Sequence, residues 1–128
     1  RMEQKFKNKY DQETGIFYKY YYGPIEFNDI YESWEYLFKK NQLPEGIKGF
    51  IIDYRQATFN MEVNEYKNIV SFYQYNLEKF GGYKFAVITQ NTKDITIPTL
   101  VATKDKGYQS RPFSTIRGAI SWLLDDII

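Results

Sequence analysis

Asp53, Tyr54 and Arg55 follow directly on an apolar run, Gly49-Phe50-Ile51-Ile52, and are the residues of this chain whose types and spacing could do chemistry together. A carboxylate can take a proton, a guanidinium can grip an anion through a planar fork, and a phenol can support either. Functional groups in open α/β sheets collect beyond the carboxyl ends of strands, which makes this tripeptide the first candidate site. Thr58 is the one hydroxyl between Ala57 and Val63. A phosphate on it would add about two negative charges, with Arg55 close enough in sequence to receive them. Gln90, Asn91 and Thr92 follow a second apolar run, and Arg111 and Ser114 flank a third short one, so all are expected on the same rim. Each group also has a local explanation. Asp53 can cap a loop, Arg55 can pair with Asp53 or cover a helix end, the amides can satisfy turn backbone, and Ser114 or Thr115 can cap a helix.

The residues that are missing narrow the chemistry further. There is no cysteine and no histidine, which removes thiolate nucleophiles, sulfur metal sites and the commonest general base. Ser-His-Asp and Cys-His catalysis within the chain are excluded. Zinc is not expected, and no Ca-loop pattern or dense acidic cluster suggests another metal. No cofactor is implied. Gly81-Gly82 is not a phosphate cradle, because it precedes a strand where such a loop should follow one and open a helix. Seventeen basic residues balance sixteen acidic ones, and the lysines at 5, 7, 9, 39 and 40 form no extended cluster, so a nucleic-acid footprint is not expected. No apolar run is long enough to span a membrane and no signal-peptide pattern is present, which predicts a cytoplasmic protein without membrane insertion.

These groups must be positioned by a fold, and 128 residues suffice for one domain burying about two-thirds of its unfolded surface. Aromatic residues make up 20% of the chain, including 13 tyrosines. A tyrosine ring fills space while its hydroxyl needs a partner, so most should sit at the core margin; a cluster could instead line a ligand pocket or a protein interface. Phe6 to Tyr10 reads as a strand whose Lys5, Lys7 and Lys9 form the wet face of a sheet edge. A turn at Asp11 to Gly15 returns it into Ile16 to Tyr22, a strand with largely apolar or aromatic faces and therefore expected to be covered on both, until Gly23-Pro24 breaks it.

Asn28 or Asp29 is the expected N-cap of a helix running to about Asn41, with Ile30, Trp34, Leu37 and Phe38 as its buried stripe. Gly49 to Ile52 is a central buried strand. Val63, Tyr66, Val70, Tyr73, Leu77 and Phe80 step by three and four, which predicts one long helix closed by Gly81-Gly82. Tyr83 to Thr89 is another buried strand. Ile95 to Ala102 reads as a short helix capped by Thr96, with Pro98 in its first turn. Arg111-Pro112-Phe113 is an edge strand. A final helix is capped by Ser114 or Thr115, with Ile116, Ile120, Leu123, Leu124 and Ile127 on its apolar face. The expectation is α/β: a single-domain mixed sheet of about five strands, with an N-terminal antiparallel hairpin, parallel inner strands and about four helices.

The pattern resembles the SpoIIAA-like branch of the STAS domains. The resemblance rests on Asp53-Tyr54-Arg55-Gln56-Ala57 after a buried strand, on the helix leading into Tyr83-Lys84-Phe85-Ala86-Val87-Ile88, and on Phe113 before Ala119-Ile120-Ser121-Trp122-Leu123. It covers nearly the whole chain, and it implies a single STAS-like domain over residues 1–128 that switches or docks to a partner and does not turn over substrate. In the sporulation regulators of that family a serine in an Asp-Ser-Ser-Gly-like stretch is phosphorylated. Here the region reads Ala57-Thr58-Phe59-Asn60-Met61-Glu62-Val63 and lacks that motif.

Three functional readings follow. The first is a regulatory or protein-docking domain with Asp53, Tyr54, Arg55 and Thr58 at the contact. The second is a small-molecule or lipid-binding domain whose aromatic-lined pocket takes a small apolar ligand. The third is an enzyme using Asp53 as a base, supported by Tyr54 or Arg55, which needs Asp53 buried in a cleft. The missing catalytic groups favour the first.

Overall fold

The structure, a computed structural model, describes residues 4–125. Its sheet is built from β1 (Phe6–Asp11), β2 (Ile16–Ile25), β3 (Gly49–Phe59), β4 (Lys84–Ile88) and β5 (Gln109–Phe113), in the order β1-β2-β3-β4-β5. β1 and β2 pair antiparallel, and the other pairs are parallel. The expected fold class holds: one mixed α/β sheet with an N-terminal hairpin.

The hairpin turn is set by Asp11 and Gly15. Asp11 accepts hydrogen bonds from the Glu13 backbone N–H (3.1 Å) and the Thr14 hydroxyl (2.9 Å), and its carbonyl accepts from Gly15 N–H at 2.8 Å. Gly15 sits at φ +77°, where a Cβ would also meet Lys48 Cγ at 2.6 Å.

Neighbouring parallel strands that follow one another in sequence need crossovers, and the right-handed rule sends successive crossovers to one face. Helices α1 (Phe27–Lys40), α2 (Tyr66–Tyr75), α3 (Leu77–Phe80) and α4 (Thr96–Ala102) accordingly share one core. Trp34 is fully buried at its centre, edge-on to Phe50 (5.6 Å) and Phe80 (4.9 Å), while Phe50 stacks on Phe85 at 4.7 Å. Such pairs add about 0.5–1.5 kcal/mol each beyond the area they bury. α5 (Ile116–Leu124) crosses the opposite face alone, over β4 and the flanking parts of β3 and β5. Ala119 and Leu123 pack there on Ile16, Ile51, Ala86 and Ile88.

Several local expectations are corrected. β2 continues through Gly23-Pro24 to Ile25, because β1 pairs only as far as Tyr21 and leaves β2 an edge there, where proline is tolerated. β3 runs to Phe59, so Asp53 to Thr58 are strand residues and not a loop; the extended β2 supplies their partners.

The long helix expected from Val63 to Phe80 is a 3-10 turn, then α2, then α3. At Asn76 the side-chain amide donates to the Phe72 carbonyl at 2.8 Å, while the Asn76 backbone N–H bonds Tyr73. That competition breaks the helical ladder. Ile69, Phe72, Tyr73 and Phe80 then face the core, and Val63 and Leu77 are exposed. Five α-helices are therefore present among the described residues, where four were expected.

The N-cap of α1 is Glu26 and not Asn28 or Asp29; Asp29, three residues on, accepts from the Glu26 backbone N–H at 2.8 Å. Ile95, not Thr96, stands at the cap position of α4, and Thr96 is its first residue. Thr115 caps α5, accepting from Gly118 N–H at 3.1 Å. Ile127, assigned to the apolar face of that helix, lies outside the described residues.

Candidate binding site on the open sheet face

The α5 face of the sheet is covered over only part of its width. Ile16 of β2 lies under α5 and is fully buried, Tyr18 is packed at its margin, and Tyr20 and Tyr22, further along the same side of β2, are half-buried. The expectation that β2 is covered on both faces therefore holds along Phe17, Lys19 and Tyr21 and fails beyond Tyr18.

Across this gap β3 carries a bulge. Tyr20 is registered with Asp53, and Tyr22 with Gln56, so two steps on β2 match three on β3. The extra residue breaks the alternation of faces and presents Arg55 and Gln56 together, as bulges near functional sites do. Tyr20, Tyr22, Asp53, Arg55, Gln56 and Gln90 line the resulting cleft of about 310 Å³.

Within it, Asp53 is 4% exposed and its oxygens are occupied. Oδ1 accepts from the Arg55 backbone N–H at 2.9 Å and from Nε at 3.0 Å, and Oδ2 accepts from Nη2 at 2.7 Å. The Asp53 hydrogen bonds hold the Arg55 guanidinium even more firmly protonated than usual. Burial, then the neighbouring Tyr18, Asp53 and Tyr22, pushes the Tyr20 hydroxyl up, against the opposing effect of Arg55. Tyr20 is thus a neutral donor beside a fixed cation.

The four residues singled out at this site are not brought together. Asp53 and Arg55 are. Tyr54 faces the opposite side, buried and stacked on Tyr21 at 4.8 Å and against Phe59 at 4.6 Å; it is a core residue. Thr58 donates to Asp94 at 3.3 Å and accepts from Lys93 at 3.4 Å. A phosphate on Thr58 would therefore meet the Asp94 carboxylate and Lys93, while Arg55 is engaged with Asp53. Asp53 meets the burial and the cleft that its use as a base called for, with Arg55 beside it and engaging both of its oxygens, while Tyr54 points away.

Gln90 joins the cleft, whereas the Asn91 side chain caps the 3-10 turn Thr92–Asp94 by accepting from Asp94 N–H. Arg111 is exposed on β5 and lies over the ring of Trp122 of α5 at 5.1 Å. Tyr20, Tyr22 and Gln56 were not selected from the sequence. The shared face of Tyr18, Tyr20 and Tyr22 was visible in the alternation, but nothing local says that α5 stops short of them. Among the described residues, no group of three or more acidic side chains is placed to hold a metal ion.

The aromatic rings fill the main core. The void between Tyr54, Phe59, Ile69, Tyr73, Ile97 and Val101 measures about 30 Å³, room for about one water. An apolar cleft of about 330 Å³ lies instead at the surface, between Leu37, Phe38, Leu43, Pro44, Ile47 and Tyr83. A second unusual group is Lys19, fully buried between β1 and α1. Its ammonium donates to Asn8 Oδ1 (3.1 Å) and the Ser33 carbonyl (3.4 Å) and lies 4.6 Å from the Trp34 ring centroid. Burial pulls its pKa down to about 7.

No family model and no curated protein matches this sequence. Among solved structures, an uncharacterised protein of the DUF3478 family from Shewanella loihica PV-4, described as having a SpoIIAA-like fold, is similar with a TM-score of 0.58 at 17% identity. The match covers 92% of this chain and 91% of that one. At that identity the likeness establishes the fold, which is SpoIIAA-like as the sequence motifs implied.

Proposed function

We propose that this chain is a non-enzymatic docking domain that engages a protein partner through the part of the sheet α5 leaves open. The observation that carries this reading is the cleft beside Tyr18, Tyr20 and Tyr22, with Arg55 fixed in its wall. Tyrosine and arginine are among the side chains enriched at protein interfaces and at their energetic centres. A rigid strand presents them at little conformational cost. The cleft offers donors and ring surface but no free nucleophile or base, in keeping with binding and not turnover.

A second reading, a small apolar ligand, is favoured by the surface cleft at Leu37, Phe38, Leu43 and Tyr83, whose volume is at the lower end for ligand pockets. Affinity capture from the source cell lysate separates the two. Wild type and Tyr20→Ser/Tyr22→Ser are compared, and both co-purifying proteins and extractable small molecules are identified. A protein held by wild type and lost in the variant supports docking. An extracted apolar molecule with no such protein transfers the function to the other cleft.

A further inference from the structure

We infer that the open-face cleft is a carboxylate receptor, and that the partner it takes is an acidic peptide segment whose Asp or Glu side chain docks on Arg55. This rests on the docking reading and adds the chemistry of the partner.

The argument starts from the donors of Arg55. Nε–H and one Nη2–H are committed to Asp53. Among the described residues neither Nη1–H nor the second Nη2–H has a partner, and one Nη1–H with that Nη2–H forms the end-on edge of the guanidinium, a fork that matches a second carboxylate. The Asp53 carboxylate is 5% exposed and the Arg55 side chain 32%, so it is Arg55 that reaches solvent. Asp53 therefore acts as a clamp: it holds the guanidinium in one orientation in advance, so less side-chain entropy is lost on binding.

The surroundings select for an anion. Gln56 and Gln90 carry amide donors, and Tyr20 and Tyr22 line the rest of the cleft. A cation would find the one acid of the cleft already occupied. On the adjacent strand, Lys9 is registered with Tyr18 and Lys7 with Tyr20; both lysines are exposed and share that face. Lys9 lies 5.9 Å from the Tyr18 ring centroid. Asp11, the acid nearest Tyr18, is turned into the hairpin loop by Thr14 and the Glu13 N–H.

The charges that reach solvent on this face are thus Arg55, Lys7 and Lys9, a few separated cations. A nucleic-acid backbone needs a continuous basic track, whereas one fork among tyrosines matches one acidic side chain with apolar neighbours.

The test uses the 128-residue chain labelled with nitrogen-15 and titrated with capped hexaglutamate, inorganic phosphate and oligothymidylate. Hexaglutamate is expected to shift the side-chain signals of Arg55 Nε, Gln56 and Gln90 saturably at low salt, with the shifts reversed by added salt. Gln90→Glu leaves the Asp53–Arg55 pair intact and should weaken binding at least about tenfold through like-charge repulsion. Asp53→Asn/Arg55→Gln removes the fork without leaving a lone buried charge and should abolish binding.

Unchanged binding in both variants, or no saturable shift in wild type, overturns the inference. So does tighter binding of phosphate or oligothymidylate at the same signals. The two proposals can fail separately. A captured protein lost in Tyr20→Ser/Tyr22→Ser but retained by Gln90→Glu leaves docking standing and sinks the carboxylate. Hexaglutamate binding at Arg55 with no protein capture does the reverse.

Discussion

Arg55 and Lys19 show how much one side chain's surroundings decide. Asp53 is buried, and among the described residues its only cationic partner is Arg55. Truncating Arg55 alone leaves a carboxylate uncompensated, a change that costs about 3–5 kcal/mol in fully buried pairs and less here, where the Arg55 side chain is 32% exposed. Arg55→Ala should therefore lower the urea midpoint sharply, and Asp53→Asn/Arg55→Gln should recover much of the loss. Equal destabilisation of the two would show that the pair matters through packing and not through charge.

Lys19 is the opposite case, a buried cation with hydrogen bonds to Asn8 and the Ser33 carbonyl but, among the described residues, no carboxylate partner. Its folded pKa of about 7 lies below the ordinary 10.5, so between those values the unfolded chain binds more protons and stability rises with pH. Below about 7 both states are protonated and the full penalty of burying the charge is felt. Lys19→Met should be more stable than wild type at neutral pH by at least about 1 kcal/mol, and should flatten the rise between pH 7 and 10.5. A steeper rise in the variant would assign the slope to other groups.

At the level of elements, the hairpin and the helix ends follow rules that are readable in sequence. Gly15 at φ +77° closes the β1–β2 turn. Gly15→Ala should destabilise the domain by about 1–2 kcal/mol through backbone strain, with further cost from the Lys48 contact, as measured by thermal unfolding. A neutral result would mean that the turn relaxes into another conformation.

The strands, the Thr115 cap of α5 and the Gly81 end of α3 were legible because each depends on residues within a few positions. The split at Asn76 was not, because the 3.6-residue period of the apolar side chains runs straight through it. Nor was the extension of β3 through Asp53 to Phe59, which needs β2 beside it to supply hydrogen bonds.

At the scale of the whole molecule, ionisable groups scattered through the core act together on stability. Burial pushes the hydroxyls of Tyr21, Tyr54 and Tyr73 well up, and that of Tyr108 up to about 12. Above about pH 10 the unfolded chain loses these protons while the folded one keeps them, so stability falls as pH rises further. Combined with the rise from Lys19, the urea-unfolding free energy should peak near about pH 9–10. A maximum near neutrality would show that the charged form of Lys19 is better accommodated by its aromatic neighbours than burial alone allows.

The same scale decides the site. The sequence by itself determined a mixed α/β sheet, its parallel inner strands and its hairpin, and it offered the pairing of Asp53 with Arg55 as one local reading, since periodicity, turn residues and a two-residue spacing are local properties. Only the tertiary structure decided that Tyr54 belongs to the core, that Thr58 answers to Asp94, and that Tyr20, Tyr22, Gln56 and Gln90 share one cleft. Those facts depend on a bulge set by the register of two strands, and on a helix at the end of the chain covering less than the full width of the sheet. Both are relations between segments distant in sequence, and no window of residues contains them.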